Sequence, residues 1–183
     1  HRVGHLVAVL DDAEIEQADV WGYSRGAVMG DALAVAHPDR IERFVAGGIP
    51  LLDMRELLEQ LGMVPEPTVI DDRHRRALAG EWEAYWETFP LPLADDVKAF
   101  LAERNDLSSI SACRVASYDS SITWSAPVGV PTLGYWGRGE VFHDLNIGAV
   151  GDQGIETATL DGGHAEAFRD SSAALDIVLP FLR

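Results

Sequence analysis

The sequence predicts an α/β protein, a mostly parallel sheet with flanking helices and a helical insertion between its two halves. Three observations lead there. The strand pattern "ADVWGY" runs into a helical pattern with no loop between, and a second strand pattern follows at the spacing of a parallel strand–helix–strand unit. A proline-punctuated middle then reads as helical, and the last third returns to strands.

In order, His5 to Ala13 reads as a helix and Ala18 to Tyr23 as a strand. Gly26 to Ala36 reads as a helix stopped by His37-Pro38, and Ile41 to Gly47 as a second strand. The middle shows helical periodicity in "MRELLEQLG", "EWEAYWETF" and "ADDVKAFLAERN", broken by Pro65, Pro67, Pro90 and Pro92. The strands "VPTLGYWG" and "IETATLDG" and a closing helix, "SSAALDIVLPFLR", complete the chain. This gives a single domain over residues 1–183: an opening strand and helices to residue 50, a helical insertion over 51–118, and the remaining strands over 119–183.

Composition restricts the function. A hydrophobic content of 47% over 183 residues is enough for a real core. Thirty acidic against 14 basic side chains, a formal charge of -16, argue against a nucleic-acid or anionic-membrane partner, both of which need a basic face. The single cysteine, Cys113, cannot form an internal disulfide, and there is no Cys/His cluster of metal-site type. No signal-like opening and no apolar run of roughly 18 residues occurs, so the expected location is cytoplasmic.

The chemistry centres on Gly22-Tyr23-Ser24-Arg25-Gly26. A sharp strand-to-helix turn strains its central residue, and small neighbours two positions away let strand and helix approach; Gly22 and Gly26 fit that need. Ser24 would stand at the carboxyl edge of the sheet, where the Arg25 N–H and the helix dipole favour a developing oxyanion. This is the G-x-S-x-G nucleophile elbow. The plainer reading is a glycine-flanked serine that caps a helix.

A serine nucleophile needs a base. His164 in "LDGGHAEAF" follows a strand, sits beside Gly162-Gly163 and precedes the last helix. His1 and His5 precede the elbow, His37 ends a helix, His74 lies in "DDRHRR" and His143 in the loop after "WGRGE"; surface or capping roles suit these better. The base needs an orienting carboxylate between the "PTLGYWG" strand and the histidine. Glu140 and Asp144 both qualify, and spacing favours Glu140.

With these residues the chain resembles the α/β-hydrolase fold family, in its small serine esterase, lipase-like and haloperoxidase-like group. The resemblance rests on "ADVWGYSRGAVMGDALAVAHPDRIERFVAGG", "VPTLGYWGRGE" and "LDGGHAEAFRDSSAALDIVLPFL". It implies an α/β-hydrolase type of fold lacking the amino-terminal strands, with the middle in the place of a cap. It implies Ser24 as nucleophile, Glu140 as acid, His164 as base, the Arg25 N–H in the oxyanion hole, a small-molecule substrate, and no cofactor or metal. Dehalogenase and epoxide-hydrolase relatives place aspartate where Ser24 stands. Arg25, Ala27 and Glu140 depart from the commoner choices of the family without breaking its chemistry.

No strands and no HG-type oxyanion turn precede the elbow in this sequence. The chain is then a fragment of a longer protein or a shortened product. Two functions follow: a serine hydrolase acting on a neutral carboxylic ester or similar acyl compound, or a catalytically silent module with a binding role. In either, the Ala18–Tyr23 strand is expected to form an exposed edge open to self-association.

Overall fold

The computed structural model describes residues 2–51, 72–87, 94–116, 129–140, 143–151 and 153–183. They form two compact units, residues 1–57 with 124–183, and residues 58–123. Leu51 is buried in the first unit, where its N–H donates to Asn146 Oδ1 at 3.1 Å.

Among the described residues the first unit is built on a four-stranded sheet of order β1-β2-β3-β4, every pair parallel. Its strands are β1 (Ala18–Tyr23), β2 (Ile41–Gly47), β3 (Thr132–Gly137) and β4 (Glu156–Leu160). Parallel strands need crossovers. Helix α2 (Arg25–Ala36) and a 3-10 turn at Pro38–Arg40 join β1 to β2. Helix α1 (Arg2–Asp12) precedes β1.

Alternation along the strands sorts the core onto two faces. Phe44, Ala46 and Trp136 point to one side, where they pack with Ala27, Leu33 and Ala34 of α2 and with Val3, Leu6 and Val7 of α1. Val45, Leu133, Tyr135 and Leu160 point to the other and meet Ala167, Ala174 and Val178. The inner strands β2 and β3 are buried on both faces, which is why they read as near-continuous apolar runs. Strand β1 lies at the end of the sheet, with Trp21 43% exposed.

The expected strand ranges of β1 and β2 coincide with those observed. The region after β3 differs. Where a loop is expected, residues His143–Gly151 form a helix whose Asn146 is fully buried. His143 is accordingly no surface or capping residue: it is buried, with Nδ1 2.8 Å from Asp144 Oδ1 and Nε2 2.9 Å from Thr159 Oγ1.

In the second unit the described residues are helical: Asp72–Leu78, Trp82–Trp86, Asp95–Arg104 and Leu107–Ala116. Ala77, Ala84, Tyr85, Trp86 and Leu107 form its core, with Trp82 stacked on Trp86 at 4.8 Å. The aromatic spacing of the insertion therefore buries one face of a helix. The "MRELLEQLG" segment and Phe89 lie outside the described residues.

Candidate active site

Because all four strands run the same way, their carboxyl ends share one edge, and the residues singled out in the sequence follow those ends. Ser24 comes directly after β1, Glu140 three residues after β3 and His164 four residues after β4. All three belong to the first unit.

Ser24 adopts φ 50° and ψ −122°, a left-handed conformation that costs a non-glycine residue about 1–3 kcal/mol. It is held there by its own N–H, which donates to Gly47 O at 2.7 Å, and by its carbonyl, which accepts from Val28 N at 3.1 Å. Its side chain makes no capping hydrogen bond to α2, so the plainer reading of Ser24 as a helix cap does not describe it. The close approach is tight at Gly22, where a Cβ would lie 2.5 Å from Ala27 N and 2.6 Å from Ala27 Cα. Gly26 corrects the sequence argument: a Cβ there would meet nothing within 4 Å. Among the described residues, packing demands only one of the two glycines.

Glu140 turns back on its own strand. Its N–H donates to Gly137 O at 2.9 Å, and its Oε1 accepts the Gly137 N–H at 2.9 Å. The other oxygen, Oε2, lies 2.9 Å from His164 Nδ1. The Glu140 side chain is 6% exposed and that of His164 47%. Asp144, the competing acid, is fully exposed and pairs with His143 instead.

The loop before His164 is fixed, not loose. Gly139 N–H donates to Gly162 O at 2.8 Å, and Gly162 takes φ +81°, which favours glycine. Glu166 Oε2 accepts the Gly163 N–H at 3.0 Å. His164 then opens a short helix, His164–Arg169, which Asp170 separates from the closing helix, Ser171–Phe181.

A contact path joins the two halves of the site. Gly47 O takes the Ser24 N–H, and a Cβ on the adjacent Gly48 would stand 2.8 Å from His164 Cε1. With Nδ1 committed to Glu140, the imidazole keeps Nε2 for other work. Among the described residues no hydrogen bond links the Ser24 hydroxyl to His164. Catalytic contacts of this kind are often long without substrate.

Solved structures share this arrangement of elements. A marine microorganism esterase matches with a TM-score of 0.63 at 16% identity, covering 98% of this chain and 75% of that one. The chain has the α/β-hydrolase fold. Other matches include a probable hydrolytic enzyme from Pseudomonas aeruginosa PAO1, with TM-score 0.64, 19% identity and coverage of 99% and 68%. An enol-lactonase from Burkholderia xenovorans LB400 matches with TM-score 0.59 at 21% identity, covering 98% of this chain and 71% of that one. In sequence, 46 residues are 52% identical to 2-hydroxymuconate semialdehyde hydrolase of Pseudomonas sp. (strain CF600). That segment is 25% of this chain and spans 16% of the relative's length. No family model matches the chain. Among the described residues no helix is long and apolar enough to cross a membrane.

Sequence reasoning missed one residue of the site, Tyr23. Its hydroxyl lies 2.7 Å from His164 O and 3.3 Å from Glu140 Oε1. Nothing in a strand-ending tyrosine announces partners so far along the chain.

Proposed function

We propose that this chain carries the catalytic machinery of a serine hydrolase acting on a neutral carboxylic ester or similar acyl compound, through Ser24, Glu140 and His164. The observation that carries the proposal is the Glu140–His164 pair on the same sheet edge as a serine held at φ 50°. Glu140 accepts a hydrogen bond from the Nδ1–H of His164, which leaves the Nε2 lone pair to remove the Ser24 hydroxyl proton. Ser24 Oγ then attacks the carbonyl carbon, and the Arg25 N–H at the start of α2 stabilises the oxyanion. The protonated imidazole returns its proton to the leaving alcohol. Water, deprotonated by the same nitrogen, releases the acid and restores Ser24.

A fluorophosphonate probe tests the assignment: it labels Ser24, and Ser24→Ala abolishes labelling. Labelling that survives the substitution removes Ser24 from the role. Substrate class is read from a panel of short and long p-nitrophenyl esters, to which the likeness over 46 residues adds 2-hydroxymuconate semialdehyde. The second reading, a silent module, draws support from the missing Ser24–His164 hydrogen bond, and it predicts neither labelling nor turnover.

The same proposal includes a cytoplasmic location, consistent with the lone cysteine, and self-association through the β1 edge. Sedimentation of the parent against Trp21→Lys reads the latter. A parent that sediments as a monomer at all concentrations removes it.

A further inference from the structure

Tyr23 is the last residue of β1 and the immediate neighbour of Ser24. Its hydroxyl reaches two groups 141 and 117 residues away in sequence, the His164 carbonyl at 2.7 Å and Glu140 Oε1 at 3.3 Å. A phenol has one proton, so the short contact is the main donation and the carboxylate contact the weaker one. Burial, followed by the charge of Glu140, pushes the phenol well above its ordinary range, with Tyr135 and Glu166 adding to the effect. The hydroxyl therefore stays a donor. The ring is equally committed: it lies 5.0 Å from the imidazole of His164 and 5.3 Å from Phe168, one helical turn further on. A Cβ on Gly48 would come within 2.7 Å of Tyr23 Cζ and 2.8 Å of His164 Cε1, so the backbone there closes on both rings.

We infer that Tyr23 is a positioning residue, which through the His164 carbonyl and the Glu140 carboxylate fixes the histidine–acid pair relative to the serine that follows it in the chain. The inference rests on the serine-hydrolase reading above. It gives a reason for a tyrosine hydroxyl inside the elbow motif. The orienting hydrogen bonds would be lost in Tyr23→Phe, while the ring and its packing remain.

Two measurements test it, one of them independent of turnover. In Tyr23→Phe, ester hydrolysis should lose on the order of ten- to a hundredfold in kcat with KM held, the cost of misplacing a catalytic group. The ring 15N shifts of His164, read by NMR at one pH in both proteins, should change, because the phenol donor that steadies its carbonyl and the Glu140 carboxylate is gone. Tyr135→Phe removes the neighbouring hydroxyl, which accepts from Trp21 Nε1 at 3.1 Å, and should move neither quantity. A folded Tyr23→Phe with parental kcat and parental ring shifts overturns the inference, as does an equal loss in Tyr135→Phe. Should Ser24 resist fluorophosphonate while the ring shifts still move, the hydrolase reading fails and the hold of Tyr23 on the pair stands.

Discussion

His164 Nδ1 lies 2.9 Å from Glu140 Oε2, and the other oxygen of the same carboxylate accepts the Gly137 N–H. Both oxygens of a buried acid are thus assigned, one to the strand end and one to the histidine. Glu140→Gln keeps the size and an acceptor for Gly137, but it sets an amide N–H against Nδ1. The imidazole must then carry its proton on Nε2, where it cannot take one from Ser24. Turnover should fall by on the order of 10⁴-fold, as expected for a wrong tautomer. Asp144→Asn, at a fully exposed side chain, should leave the rate near the parent value. If the two variants ranked the other way, the orienting acid would be Asp144.

The two glycines of the elbow should part company on substitution. Gly22→Ala drives a methyl into the backbone of Ala27, which cannot rotate away, so it should destabilise the fold and reduce any fluorophosphonate labelling of Ser24. Gly26→Ala places a methyl in open space within α2, and alanine is favoured over glycine in a helix by about 0.8–1 kcal/mol. Urea unfolding should therefore move the two midpoints in opposite directions. A drop in both would mean that Gly26 serves a contact the geometry does not reveal.

What the sequence could reveal follows from the range of the forces involved. Strands β1 and β2 were legible because aromatic and branched residues stand between helix breakers, a local signal. The elbow was legible because the close approach of strand and helix demands a glycine two residues before the serine, at Gly22. The helix His143–Gly151 was not, because "HDLNIGAVG" carries two glycines and no strong periodicity; it is held by tertiary contacts such as Asn146 on Leu51. His164–Arg169 is too short for periodicity to register. Among candidates for the acid, spacing ranked Glu140 first, and the pairing of Asp144 with a buried His143 could only come from coordinates. Tyr23 stayed hidden because its partners are distant in sequence.

Strain at Ser24 should be measurable as stability. Glycine tolerates φ 50° without the Cβ penalty, so Ser24→Gly should raise the unfolding free energy by about 1 kcal/mol or more. Ser24→Ala keeps the penalty and should change it little. Both remove the proposed nucleophile, which separates the gain in stability from the loss of chemistry. Equal stability of the two variants would show that the elbow is relaxed.

Asp31 should make the fold less stable as pH rises. It lies on the buried side of α2, 4% exposed, and its Oδ1 has no hydrogen-bond partner among the described residues. Burial raises its pKa from 3.8 to about 7. Well below its unfolded pKa of 3.8 the acid is neutral in folded and unfolded chains alike and costs nothing through ionisation. As pH rises toward 7, the unfolded chain gives up the proton while the folded chain keeps it, so the folded state binds more protons and loses stability. Above that range the penalty is complete, on the order of 4 kcal/mol. Asp31→Asn cannot ionise and should escape the loss, so its advantage over the parent should grow between about pH 5 and about pH 8. Taking the difference cancels the other carboxyls, Asp106 among them, which Ser109 and Ser108 hold down at about 2. Urea unfolding of both proteins at the two pH values is the measurement, and a stability difference that does not change with pH would mean that Asp31 is already ionised in the folded protein.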